Sequence, residues 1–140
     1  MIRNFTKDDV EEVMKIWFDT NILTHNYIDA NYYKDNFDTV KEMIFNADIF
    51  VYQENVIING FIGLINDYIA GIFVLNGCQS NGIGKKLLNH TKEKYDKLSL
   101  YVYKKNSRAV NFYLREGFSI VGEKTDENTG EIEFIMNWKK

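Results

Sequence analysis

Read from the N-terminus, the apolar positions first follow a helical period and then a strand period. Ile2 to Phe5 predicts a short first strand. Thr6-Lys7-Asp8-Asp9 reads as a helix start, with Thr6 as N-cap and acidic residues in the first turn. Val10, Val13, Met14 and Trp17 then recur at helical spacing, so one apolar stripe should run to about Leu23. A second helix is expected from Asp29 to Asn46, carrying Tyr33, Phe37, Val40, Met43 and Ile44. After that the period shortens. Ile49 to Tyr52, Val56 to Ile65 and Tyr68 to Leu75 read as three strands, separated by Glu54-Asn55 and Asn66-Asp67 and closed by Asn76-Gly77.

Gly82 to Tyr95 returns to the helical period, with Ile83, Leu87, Leu88 and Tyr95 facing inward. Leu98 to Tyr103 is a strand, and Asn106 to Glu116 is a helix that Gly117 should stop. Phe118 to Glu123 and Ile132 to Trp138 predict a closing hairpin around the polar loop Lys124 to Gly130. In its second arm Ile132, Phe134, Met136 and Trp138 alternate with Glu131, Glu133 and Asn137. The predicted order is βααβββαβαββ, one α/β (α+β) domain over residues 1–140 with a mixed sheet.

Composition agrees with that picture. The chain has 140 residues, 45% hydrophobic and 26% charged, with ten Phe, nine Tyr and two Trp to fill a core. The net charge of −3 speaks against nucleic-acid binding, which calls for an excess of basic residues. With one cysteine, Cys78, no intrachain disulfide can form, so a reducing, cytoplasmic setting is expected. No signal peptide is visible after Met1-Ile2-Arg3, and no run is apolar enough to span a membrane. No Cys/His spacing suggests a metal site.

The most informative stretch is Ile72-Phe73-Val74-Leu75-Asn76-Gly77-Cys78-Gln79-Ser80-Asn81-Gly82-Ile83-Gly84-Lys85-Lys86. A strand leads through a glycine-rich loop into a helix, so backbone N–H groups at a helix N-terminus can meet a phosphate. Glycine matters there because a Cβ would keep the backbone away from the phosphate oxygens. Gly77 and Gly82 have P-loop spacing, but Ile83 stands where that loop needs a lysine. A dinucleotide loop needs a third glycine where Leu87 stands. What remains is Gln79-x-x-Gly82-x-Gly84, which resembles the Q/R-x-x-G-x-G/A signature of the GNAT N-acetyltransferases. After the next strand comes Asn106-Ser107-Arg108-Ala109-Val110-Asn111-Phe112-Tyr113-Leu114-Arg115-Glu116-Gly117-Phe118, which matches that family's N-x-x-A-x-x-F-Y-x-x-x-G-F pattern at every fixed position. The run Thr24-His25-Asn26-Tyr27-Ile28-Asp29-Ala30-Asn31-Tyr32-Tyr33 is similar to a branch of small bacterial members that includes protein-lysine acetyltransferases.

The resemblance implies the GNAT fold, a mostly antiparallel mixed sheet flanked by helices. It also implies transfer of acetyl from acetyl-CoA to an amine by direct attack, without a metal. Under it, Phe73, Val74 and Leu75 offer backbone groups to the pantetheine arm. Gln79, Ser80, Asn81, Gly82, Ile83, Gly84 and Lys85 cradle the pyrophosphate, Asn106 hydrogen-bonds the cofactor, and Ala109 and Phe112 pack beside it. Tyr113 points at the thioester sulfur. Its chemistry suits that place: the departing thiolate has a conjugate pKa of about 8.5, and a phenol near 10 can donate to it. The alternative for Tyr113 is plain core, on a stripe with Val110 and Leu114.

The acceptor ammonium must lose a proton before it attacks. Water held by carbonyls of the Tyr68–Val74 strand could take it. His25 is a second candidate, because its pKa suits proton transfer near neutral pH and it falls in a loop where the family places acceptor contacts. Tyr32 and Tyr68 are candidate walls of the acceptor tunnel. His90 reads as a solvated face, and Lys85, Lys86, Lys104, Lys105 and Arg108 gather around the two motifs. Asn76-Gly77 replaces a proline common in the family, so that loop is expected to be looser. The acceptor could be a protein lysine, an N-terminus or a small amine such as an antibiotic, and the chain a monomer or homodimer. The reading outside enzymology is an acyl-CoA-binding regulator without turnover.

Overall fold

A computed structural model describes residues 1–79 and 81–140; Ser80 lies outside the described residues. Its elements are β1 (Ile2–Asn4), α1 (Val10–Thr24), α2 (Ala30–Ile44), β2 (Asp48–Glu54), β3 (Ile57–Ile65), β4 (Tyr68–Val74), α3 (Ile83–Lys92), β5 (Lys97–Tyr103), α4 (Ser107–Arg115), β6 (Ser119–Thr125) and β7 (Ile132–Lys139). The predicted order is reproduced. The strands form one sheet in the order β1-β2-β3-β4-β5-β7-β6, antiparallel except between β4 and β5.

Element ends moved where side chains compete for the backbone. Lys7–Asp9 forms a 3-10 turn before α1. There the Asp9 carboxylate accepts from the Thr6 N–H at 2.8 Å and from both terminal nitrogens of Arg3, each at 2.8 Å. That guanidinium holds the Asp9 carboxyl below its usual range, so the pair ties β1 to the start of α1. At the start of α2, Asp29 caps the helix by accepting from the Asn31 N–H at 2.9 Å. The third helix stops at Lys92 and not at Tyr95, whose hydroxyl reaches out to Asp48 at 3.3 Å.

Two apolar layers sandwich the sheet, and strand alternation assigns residues to them. Ile49 and Val51 of β2 and Phe61 of β3 pack with Val13, Met14 and Ile16 of α1. Phe50, Ile62, Leu64, Leu98, Leu100 and Met136 face the other way, against Leu87 and Leu88 of α3. Alternation along β5 therefore sends Leu98, Leu100 and Val102 into the α3 layer and leaves Ser99, Tyr101 and Tyr103 for the α1/α2 side. On α4, Val110 and Tyr113 are buried but Leu114 is 44% exposed, so the expected stripe is narrower than the spacing implied. His90 is not simply solvated: its ring stands edge-on to Phe50 at 4.9 Å. Among the described residues no helix is long and apolar enough to cross a membrane.

Candidate active site

The site starts from an irregularity in β4. Its pairing with β3 runs Ile62↔Ile72 and Gly63↔Gly71, then passes to Leu64↔Ile69, so Ala70 is an extra residue. A bulge of this kind bends its strand and increases the twist. On its other edge β4 pairs with β5 only at Tyr68↔Ser99 and Ile69↔Leu100. From Ala70 to Val74 that edge has no strand beside it among the described residues. Two cavities meet in the resulting wedge. One, of about 670 Å³, lies between β4, α4 and the start of α3. The other, of about 410 Å³, lies between the sheet and helices α1 and α2.

The first cavity has the features of an anion site. Gly82 occupies the N-cap of α3 with φ of +78°, a left-handed conformation that suits glycine. The Lys86 N–H donates to the Gly82 carbonyl at 3.0 Å. The N–H groups of Ile83, Gly84 and Lys85 lie in the turn before that bond, where the helix offers them no acceptor and its dipole favours an anion. Gln79 fastens the loop on both sides: its Nε2 donates to the Val74 carbonyl at 3.2 Å and its Oε1 accepts from Arg108 at 3.0 Å. Lys105, Arg108 and Arg115 line the cavity, and no Asp or Glu does among the described residues.

The second cavity is aromatic and acidic. Tyr32, Tyr68, Tyr101 and Tyr103 line it, with Asp126 and Glu133 as its charged residues and no Lys or Arg among the described ones. The Tyr103 hydroxyl donates to Asp126 Oδ2 at 2.9 Å. Burial, helped by Glu133, pushes the Tyr68 phenol up to about 12. Burial, helped by Asp126 and Glu133, also raises Tyr32. Tyr68 and Tyr32 are therefore neutral donors at physiological pH.

A chain of oriented hydrogen bonds joins the two cavities. Asn106 caps α4, its Oδ1 accepting from the Ala109 N–H at 3.2 Å. That bond turns Asn106 Nδ2 toward His25 Nε2, at 3.4 Å. His25 Nδ1 lies 3.0 Å from Asn21 Oδ1, and Asn21 Nδ2 donates to the Trp17 carbonyl at 2.8 Å. Because each amide is oriented at its far end, the ring must carry its proton on Nδ1 and accept at Nε2. The Tyr33 hydroxyl lies 3.2 Å from the same Nδ1. Burial lowers the His25 pKa to about 4, so the ring is neutral near pH 7.

Tyr113 sits where the cavities meet. With Ile72, Asn106 and Ala109 it lines both. Its ring is clasped edge-on by Phe112 and Phe118 at 5.2 and 5.4 Å. None of the hydrogen bonds among the described residues uses its hydroxyl. Burial, with Tyr68 adding to it, raises its pKa above the ordinary phenol value. The result is a protonated donor at the junction, free to meet a ligand.

Comparison with known proteins places this geometry. The acetyltransferase (GNAT) domain family matches residues 20–138. The chain belongs to the GNAT acetyltransferase family. It transfers an acetyl group from acetyl-CoA to an amine. A peptidyl-lysine N-acetyltransferase of Escherichia coli K12, YiaC, is 31% identical over 99% of this chain and 96% of its own length. The apo form of Escherichia coli YjaB superposes with a TM-score of 0.86 at 24% identity, over 99% of this chain and 96% of that one. An aminoglycoside 6'-N-acetyltransferase complexed with coenzyme A shares the fold, with a TM-score of 0.78 at 16% identity over 99% and 96% of the two chains.

Within this GNAT chain, Val74, Gln79, Gly84, Asn106, Ala109, Phe112 and Tyr113 all line the first cavity. Phe73 lines the second cavity, because alternation turns its ring toward the α1/α2 layer. Leu75, Asn81, Gly82, Ile83 and Lys85 line neither. The Ile83 side chain is core, and the Lys85 ammonium lies 3.9 Å from Glu116, so what they bring to the loop is backbone. Ser80 is outside the described residues. The three acceptor-side candidates, His25, Tyr32 and Tyr68, come together in the second cavity.

Asn21, Tyr101, Tyr103, Asp126 and Glu133 were not singled out from the sequence. Alternation in Leu98-Ser99-Leu100-Tyr101-Val102-Tyr103 does mark an aromatic second face, and the Asn21–His25 spacing suits a helical pair. Nothing local to Asp126 marks it.

Proposed function

We propose that this GNAT enzyme acetylates the ε-amine of a lysine presented by a protein or peptide. The observation that carries this reading is the junction at Tyr113: a cation-lined cleft for the donor and an acid-lined, aromatic cavity for an ammonium open onto one buried hydroxyl. The names of the YiaC and YjaB relatives support a lysine acceptor.

The residues present fit acetyl-CoA. Amides at the start of α3 suit its pyrophosphate, with Gln79 to Lys85 forming the loop and Lys105, Arg108 and Arg115 supplying charge. The strand-free edge of β4 through Phe73, Val74 and Leu75 suits the amides of the pantetheine arm. Ala109 and Phe112 pack beside that arm, and Asn106 can donate its second Nδ2 hydrogen to it. Bound acetyl-CoA supplies the thioester that the amine attacks.

Tyr113 donates a hydrogen bond to the sulfur as negative charge develops there. Its raised pKa lies above that of a thiol, so it stabilises the thiolate chiefly as a donor and keeps most of its proton. His25 acts as a positioning residue: its Nε2 lone pair is engaged by Asn106, and a ring with a pKa of about 4 is a weak base. The acceptor's proton leaves through water along the carbonyls of β4. Tyr32 and Tyr68 wall the lysine side chain.

The test is acetyl-CoA consumption against lysine peptides, polyamines and aminoglycosides. Lysine peptides are expected to show the highest kcat/KM, with acetylation mapped to the ε-nitrogen by mass spectrometry. Turnover confined to the small amines overturns the acceptor class.

A further inference from the structure

An ammonium of the chain itself stands against two residues of the second cavity. Lys124 Nζ stands 4.3 Å from the centroid of the Tyr101 ring and 3.3 Å from Glu133 Oε1. The sheet register explains how. Tyr103↔Glu133 and Glu133↔Lys124 place three side chains in one row across β5, β7 and β6, and Tyr101 lies two residues along β5 on the same face. Tyr101 and Glu133 line the cavity; Lys124 does not, and reaches in from its rim.

We propose that Tyr68, Tyr101, Glu133 and Asp126 form a cation subsite for a second positive group of the acceptor, an arginine or lysine next to the lysine that is acetylated, and that Lys124 holds this place in the free enzyme. The proposal rests on the protein-lysine reading above. Aromatic faces attract a cation, and a carboxylate removed from water needs one. The Glu133 side chain is only 13% exposed, so it carries such a demand, whereas Lys124 remains 40% exposed on a flexible stem. Because Lys124 approaches that carboxylate from solvent, another cation can take its place without leaving Glu133 unpaired. Tyr68 stacks edge-on against Tyr101 at 5.2 Å and extends the aromatic wall inward toward Tyr113, near enough to raise the Tyr113 pKa. Asp126 and Glu133 both act on the Tyr32 hydroxyl, so their negative field fills the same space.

The experiment compares two peptides that differ only beside the acceptor lysine, one flanked by arginine and one by alanine. In the wild type the arginine peptide should have the lower KM. In Glu133→Gln that preference should shrink by about tenfold, the usual scale for losing a charged hydrogen bond. In Lys124→Ala it should grow, a gain that damage to the fold would not produce. Equal KM values for the two peptides in the wild type, or a preference untouched by both substitutions, overturns the subsite.

A second arm uses N-acetyl-argininamide, which cannot be acetylated, and follows its binding by chemical shifts of the tyrosine rings. Binding should weaken in Glu133→Gln and tighten in Lys124→Ala; unchanged binding in both also overturns the subsite. If neither peptide is acetylated while acetyl-CoA still binds, the protein-lysine reading has failed, and the argininamide titration decides the subsite independently.

Discussion

The two cavities that meet at Tyr113 differ in charge and in how the chain builds them. Lys105, Arg108 and Arg115 line the donor cleft, whereas Asp126 and Glu133 line the acceptor cavity. The cleft draws mainly on two short stretches, from Ile72 to Gly84 and from Lys105 to Arg115, with a few residues of α1 closing it. The cavity gathers Trp17, His25, Tyr33, Phe61, Tyr101 and Glu133 from α1, α2, β3, β5, β7 and the turn after α1. A phosphate is bound by backbone amides and glycines, which a local motif can encode. An amine is selected by side chains, which only the assembled fold brings together.

Tyr113 belongs to both halves, and its substitution breaks the comparison most sharply. Tyr113→Phe keeps the ring between Phe112 and Phe118 and removes only the hydroxyl. The turnover rate at saturation should fall about 10²–10³-fold, with acetyl-CoA affinity nearly unchanged because the contact strengthens only as charge reaches the sulfur. Full turnover in this variant would make Tyr113 structural and leave the two cavities without a shared catalytic group.

A test confined to the donor half is Gly82→Val. No heavy atom lies within 4 Å of where a Cβ would be added, so the fold has room, but the φ of +78° strains any side chain. A left-handed residue costs about 1–2 kcal/mol, and a β-branched one is worse placed still. Relief of that strain turns the first amides of α3, and CoA affinity by calorimetry should fall about tenfold or more. Unchanged affinity places the pyrophosphate elsewhere.

The coupling between the halves is tested at His25, where the smallest effect is expected. Removing its bond to Asn106 in His25→Gln should raise the KM for acetyl-CoA about threefold, within the range of one net hydrogen bond. The folded pKa of about 4 lies below the ordinary value of 6.5. The stability this buried neutral ring contributes is therefore complete above pH 6.5 and is lost as pH falls toward 4. Melting temperatures across that window should drop more steeply in the wild type than in His25→Gln. An acid limb near pH 4 in kcat/KM that vanishes in His25→Gln would make His25 the base.

The element order, the glycine loop and the Asn106–Glu116 helix were legible in the sequence, because period, capping and left-handed glycines are properties of neighbours along the chain. The helix start near Asp9 was less so, since Arg3, which lies on another element, takes part in setting it. Among site residues, His25, Tyr32 and Tyr68 could be named as candidates, but a sequence does not say that Asn106 occupies the His25 lone pair. The bulge at Ala70 shows the same limit. It opens the wedge by shifting β4 against β3 and away from β5, a balance of pairings on two edges that no local pattern records. The element order and the two donor-side motifs were therefore decided by the sequence alone. The charge and reach of the acceptor cavity were decided by tertiary structure, because Asp126, Glu133 and Tyr101 become neighbours of Tyr32 and His25 only when the sheet and the first two helices close on one another.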